Sequence, residues 1–368
     1  MAFTITKTVL VPPPATNKGD GNQIAIKCKQ TLDICYDYIR GGDSKGYVLN
    51  PRIDFLVVTI PITDPDTKGI LATSLSNIQT DISEPEFEAF NIDHLPLHAK
   101  SSFKKYTHGV IINSLPGLAV FQAKPTKSDH HFLKISIVPS RWEKKDVKKF
   151  WNYLYEITGA KIDADYVIKH GSIRRIDWAI DFLNVDTTDF MLQKKSKNKR
   201  KNVSYFGPDG GVETYYIGPN GQKLSPQNFK TYIYDKRAKS NIDKEVPEFG
   251  DILHMRLEIR LNKSTLGSMN LNSFLNLKEK ATNRFSSYTL TDYFAHHPKE
   301  NVIQWHQFGD SCKVRGIDGA LSMLTEYQYT NYKEALSVAQ EICWRPDKLW
   351  KATQNHARFL FWKSYKIK

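Results

Sequence analysis

Three short stretches bring together side chains suited to phosphoryl transfer: "RRIDWAID" (174–181), "TYIYDK" (231–236) and "RLEIR" (256–260). In extended backbone, residues i, i+2 and i+4 share a face. That rule groups Arg175, Asp177, Ala179 and Asp181 against Ile176, Trp178 and Ile180. It groups Arg256, Glu258 and Arg260 against Leu257 and Ile259, and places Tyr232, Tyr234 and Lys236 together. Any one such stripe is most simply a solvated strand face with cross-strand ion pairs. Three stripes, each with an apolar back, predict a sheet packed on helices behind and exposed in front. If the strands are neighbours, Asp177, Asp181 and Glu258 converge as oxygen ligands for a hard cation, Mg²⁺ or Mn²⁺. Tyr234 then lies beside the metal.

The elements that must position these residues follow from periodicity and breakers. "RIDFLVVTIPI" (52–62), "GVIINSLPGLAVFQA" (109–123), "HFLKISIV" (131–138) and "SIRRIDWAIDFLNV" (172–185) are β-rich. "NVSYFGPDGGVETYYIG" (202–218) reads as two strands around a Gly-Pro-Asp-Gly-Gly turn, and two more strands carry "TYIYDK" and "RLEIR". "SRWEKKDVKKFWNYLYEITGA" is an amphipathic helix with Trp142, Val147, Phe150, Trp151, Leu154 and Ile157 on its apolar stripe. "QIAIKCKQTLDICYDYIRGG" spaces Cys28, Leu32, Cys35 and Ile39 as a helix does and stops at Gly41-Gly42. The pattern is α+β: an extended arm over 1–22, a mainly antiparallel α+β domain over 23–275, and a helical region over 276–368.

Lys and Arg number 52 against 39 Asp and Glu, a net charge of +13, which favours a polyanionic partner, nucleic acid ahead of a membrane surface. Six basic residues crowd 194–202, namely Lys194, Lys195, Lys197, Lys199, Arg200 and Lys201. Between two strands of the site they suit a phosphate backbone. The four cysteines lack zinc spacing and suit a reducing compartment, so the expected location is cytoplasmic. No apolar run is long enough to span a bilayer. The pairs His130-His131 and His296-His297 cannot supply a His-x-His metal site from one strand face. No phosphate-binding Gly-x-x-x-x-Gly-Lys-Ser/Thr loop is present.

Taken in order, "RRIDWAIDF", "YFGPDGGVETYYIG", "TYIYDKRAK" and "RLEIRL" resemble the signature of the replication initiation factor family, the rolling-circle initiators and related relaxases. The resemblance is clearest over 131–262. It implies a nuclease-like antiparallel sheet with a catalytic face, with Tyr234 as the nucleophile. Asp177, Glu258 and Asp181 then hold Mg²⁺ or Mn²⁺, Lys236, Arg175 and Arg256 are the basic positions around them, and Tyr232 is a neighbour on the DNA. Ser136 stands where some relatives have an acidic residue. The implied reaction is metal-dependent nicking: Tyr234 attacks phosphorus, leaving a 5′-phosphotyrosine and a free 3′-OH that primes a polymerase. A host helicase and a homodimer are implied with it. A relaxase of a mobile element with the same chemistry, and a non-catalytic DNA-binding regulator of a replicon, are the alternatives.

Overall fold

The computed structural model describes residues 2–11, 24–33, 36–39, 46–81, 94–96, 105–112, 114–187, 190–194, 202–206, 212–217, 230–242, 246–262, 269–276, 283–292, 296, 298 and 302–361. The first part of the chain forms β1 (Ala2–Val11), β2 (Ile24–Asp33), β3 (Tyr36–Ile39), β4 (Gly46–Ile60), α1 (Pro65–Asp81) and β5 (His94–Pro96). Then come β6 (Tyr106–Ile112), β7 (Ala119–Pro125), β8 (Leu133–Ile137), α2 (Lys144–Ile157), α3 (Ala164–His170) and β9 (Ser172–Leu183). The middle adds β10 (Phe190–Lys194), β11 (Asn202–Phe206), β12 (Val212–Ile217), β13 (Lys230–Asp235), α4 (Lys236–Ile242) and β14 (His254–Asn262). The chain closes with α5 (Leu271–Asn276), β15 (Tyr288–Asp292), α6 (Val302–Leu321), α7 (Glu326–Cys343) and α8 (Pro346–Leu360).

The fold is α+β, and every pairing between described strands is antiparallel. The main sheet runs β11-β12-β13-β14-β9-β4-β8-β7-β6-β5, with β3 paired to β4. The three polar strands β13, β14 and β9 are therefore neighbours. Their apolar alternates all face the same core: Ile233 from β13, Met255, Leu257, Ile259 and Leu261 from β14, and Ile176, Trp178, Ile180 and Phe182 from β9. Helix α2 delivers its expected stripe, Val147, Phe150, Trp151, Leu154 and Ile157, to that core. A reciprocal cap between Glu143 and Asp146 starts it. The Trp151 indole donates to Leu360 O at 2.7 Å, tying α2 to α8. A second apolar cluster joins α6 and α7 to the β10–β15 pair through Met191, Trp305, Phe308, Tyr332 and Leu336.

Two expectations change at the N-terminus. Residues 2–11 of the expected extended arm are extended but do not stand alone: they form strand β1, paired along its length with β2. The helix expected after residue 23 is instead β2 and β3. Ile24, Ile26, Cys28 and Leu32 also repeat with a period of two, and β-branched residues favour the extended form. Strand β4 is the third surprise, because it inserts between β9 and β8. Its register against β9 shifts between Ile53 and Phe55. Both Ile53 and Leu56 consequently reach the core although they are three apart. The Ile53 N–H that the bulge frees donates to His356 Nδ1 on α8, 3.0 Å away.

Candidate active site

The polar stripes meet across the ladder in fixed register. Tyr232 pairs with Glu258 and Tyr234 with Arg256. Arg256 pairs with Asp181, Glu258 with Ala179, and Arg260 with Asp177. This face lines a pocket of about 350 Å³ containing Arg175, Asp177, Tyr232, Tyr234, Lys236, Arg256, Glu258 and Arg260, with Asp54, Arg141, Lys239 and Glu248 from outside the three strands. That is a small-ligand volume. The front of the sheet was expected to be open, but Asp177, Glu258 and Arg256 are all buried. The turn at Pro139–Arg141, helix α4 and the segment around Glu248 close over them.

The carboxylates are held mainly by guanidinium groups. Asp177 accepts from Arg175 Nε at 2.9 Å and from Arg260 Nε at 2.9 Å. Asp181, at 0 % exposure, lies behind the pocket lining. There it accepts from Arg256 Nε at 2.6 Å, contacts His254 Nε2 at 2.6 Å and pairs with Arg52. Buried as it is, Asp181 is kept well below the usual carboxylate range by Arg256, Arg52 and His254. Arg52 forks onto both oxygens of Glu248 at 3.1 Å each. Arg256 also donates to Asp54 at 2.7 Å. Its Nη2 is buried without a hydrogen-bond partner among the described residues, and the nearest carboxylate oxygen, on Glu248, is 3.9 Å off.

Both tyrosines address one carboxylate. Tyr232 donates to Glu258 Oε1 and accepts from Arg260 Nη2 at 3.0 Å, while Tyr234 donates to Glu258 Oε2 at 3.3 Å. Burial, then the nearby charges of Asp54 and Asp177, raise the Glu258 carboxyl above its ordinary value and make it a better proton acceptor. Burial likewise pushes both phenols up, and Tyr234 is only 3 % exposed. Strand β13 ends at Asp235, whose side chain accepts from the backbone N–H of Arg237 and Ala238 at 2.8 and 2.9 Å. This cap starts α4, so Lys236 is helical and not the next residue of the strand as expected. The turn carries Lys236 into the pocket lining and sets Lys239 Nζ 5.0 Å from the Tyr234 ring. Burial, helped by Arg256, lowers Lys236 to about 8.

Of the residues singled out from sequence, Tyr232, Tyr234, Lys236, Arg175, Arg256, Asp177 and Glu258 share this pocket, whereas Asp181 stands behind it. Lys194 ends β10, and Lys195, Lys197, Lys199, Arg200 and Lys201 lie outside the described residues. Ser136 is buried opposite Val57 and does not line the pocket. Asp54, Glu248 and Arg52 were missed. Arg52 and Asp54 ride on the inserted β4, where two core residues three apart signal the bulge; Glu248 has no sequence signal.

As arranged, Asp177 and Asp181 accept from guanidinium groups, and Glu258 accepts from Arg260 and both phenols. Among the described residues, no three His, Cys, Asp or Glu side chains are grouped to hold a metal ion. No helix of the described residues is long and apolar enough to cross a membrane. No protein-family model matches the chain, and comparison with curated proteins finds no match.

Proposed function

We propose that this protein is a DNA strand-transfer enzyme, a rolling-circle replication initiator that nicks one strand with Tyr234. One observation carries the reading: a buried tyrosine hydrogen-bonded to a basic carboxylate, in a pocket whose lining has six cationic side chains and four carboxylates. The cations are Arg141, Arg175, Lys236, Lys239, Arg256 and Arg260; the carboxylates are Asp54, Asp177, Glu248 and Glu258. The surplus favours an anion, and Arg256 Nη2, buried with no hydrogen-bond partner among the described residues and 3.9 Å from Glu248, is a donor suited to a phosphate oxygen.

The chemistry balances with these groups alone. Glu258 takes the Tyr234 proton as the phenolic oxygen attacks phosphorus. The new Tyr234 O–P bond forms as the P–O3′ bond breaks, and Glu258 returns the proton to the departing 3′ oxygen. Arg256, with Lys236 near it and Arg175 further along the same pocket lining, stabilises the charge gathering on the non-bridging oxygens. The products are a 5′-phosphotyrosine and a 3′-OH that a polymerase extends, and the reverse step closes the strand. A divalent cation at Asp177 and Glu258, two of the three carboxylates assigned to it by resemblance, would have to displace Arg260 from both. No step here is routed through one.

The test is nicking of a supercoiled plasmid carrying the protein's own locus, with peptide mapping of the covalent product. Wild type should give an adduct on Tyr234. Tyr234→Phe should bind DNA and form none, while Tyr232→Phe should keep activity. An adduct on Tyr232 would reassign the nucleophile, and failure of wild type to form any adduct would remove the reading.

A further inference from the structure

The front of the sheet carries a second group of cations beyond the pocket, and it begins at another bulge. The β4–β9 register shifts again between Val57 and Val58, opposite Arg175 and Ile173. Ile173 and Ile176 both face the core, so Arg174 and Arg175 lie consecutively on the polar side. Arg175 lines the pocket and stacks over Phe55, 4.3 Å from its ring centre. Arg174 turns the other way: its Nε donates to Thr59 Oγ1 at 2.7 Å, and its Nη2 lies 3.4 Å from His131 Nε2. Thr59 pairs with Lys134 across the ladder, and Lys134 Nζ sits 5.9 Å from the Tyr106 ring centre. The Tyr106 hydroxyl donates to His131 O at 3.2 Å, and its ring stacks on His130.

Among the described residues no carboxylate forms an ion pair with Arg174, Lys134 or Lys105. This contrasts with the pocket, where most arginines have an acidic partner. Burial and the neighbouring Lys105 lower Lys134, as expected for crowded, uncompensated cations. Arg174 is already oriented by Thr59 and His131, so an incoming anion meets a preset donor.

We infer that Arg174 and Lys134, with Lys105 at the edge, form a phosphate-binding subsite for single-stranded DNA running across the sheet from the pocket. The inference rests on the nucleic-acid reading of the pocket and extends it to a track. Three residues of strand separate Asp177 from Arg174, on the order of 10 Å, a step that successive phosphates of one strand can cover. The half-buried His130 ring, backed by the buried Tyr106 on which it stacks, is the aromatic group beside the cations, of the kind that sequence-tolerant single-strand binding uses.

The experiment is fluorescence anisotropy of the full chain with labelled oligo-dT of about 20 nucleotides, longer than a typical single-strand site, over a salt series. Lys134→Gln with Arg174→Gln should weaken binding and reduce the slope of log affinity against log salt by about 1.4, from about 0.7 per phosphate contact. Lys134→Arg should keep the wild-type slope. If the double variant misfolds by circular dichroism, Lys134→Gln alone decides, with half the change expected. An unchanged slope in a folded variant overturns the track, even where Tyr234 adducts form. A reduced slope with no Tyr234 adduct on any substrate would leave the track standing and remove the nicking chemistry instead.

Discussion

Replacing Asp181 with Asn separates a structural anchor from a metal ligand. The substitution keeps the shape but removes the charge that holds Arg52, His254 and Arg256. Asp181 is fully buried and both arginines are nearly so, at 4 % and 2 % exposure. Taking one partner from a buried ion pair costs about 3–5 kcal/mol, because the remaining charge stays desolvated. An unfolding entropy of about 2.1 cal/mol/K per residue over 368 residues gives about 0.8 kcal/mol/K. The melting temperature should therefore fall by about 4–6 °C at pH 7 if the chain unfolds as one unit. Since the folded carboxyl lies below its ordinary value, its contribution is complete above the unfolded value of about 3.9. It is lost as pH falls through the folded one. Wild-type and Asp181→Asn melting curves should thus converge on acidification. Differential scanning calorimetry with and without Mg²⁺ provides the assay. A shift under about 1 °C would refute the anchoring network. A Mg²⁺-induced rise in wild type that vanishes in the variant would return Asp181 to a metal.

Further outcomes follow from the same geometry. Glu258→Gln should lower adduct formation by about 100-fold or more while oligonucleotide affinity changes little; nicking at the wild-type rate would remove Glu258 as the base. Lys236 is charged at neutral pH and loses its proton as pH rises through about 8, so wild-type affinity should weaken between pH 7 and 9 while Lys236→Gln stays flat, and parallel profiles would refute this. Stability of the free protein runs the other way: the buried cation is unfavourable below its folded value, so stability should rise from about pH 8 towards the ordinary lysine value. Gly171 lets the turn between α3 and β9 pass close to α3 and β4, since a Cβ there would lie 2.4 Å from Val167 O and 2.8 Å from Val58 Cγ1. Gly171→Ala should cost about 1–3 kcal/mol, read as a lower melting temperature, and an unchanged melt would show that the backbone yields freely.

What the sequence determined by itself was local and periodic. Alternation in "RRIDWAID", "TYIYDK" and "RLEIR" assigned Asp177, Glu258, Tyr232 and Tyr234 to one polar face, because a strand's side chains have no choice but to alternate. The stripe of α2 was legible for the same reason. Alternation misled where a bulge broke it: Asp54 and Arg174 joined the polar face through register shifts, which depend on a partner strand distant in sequence. At residues 24–33 helical and strand periods were both present, and pairing with β1 decided between them. Lys236 left the strand because the Asp235 cap turned the chain. Only the tertiary structure decided that β4 lies beside β9, bringing Arg52 under the site, and that Glu248 arrives from a loop. Those contacts made Asp181 an anchor behind the pocket and left Glu258 between two phenols. The division has one physical cause: the face a side chain takes is set by its immediate backbone, but its charge partner is set by long-range packing.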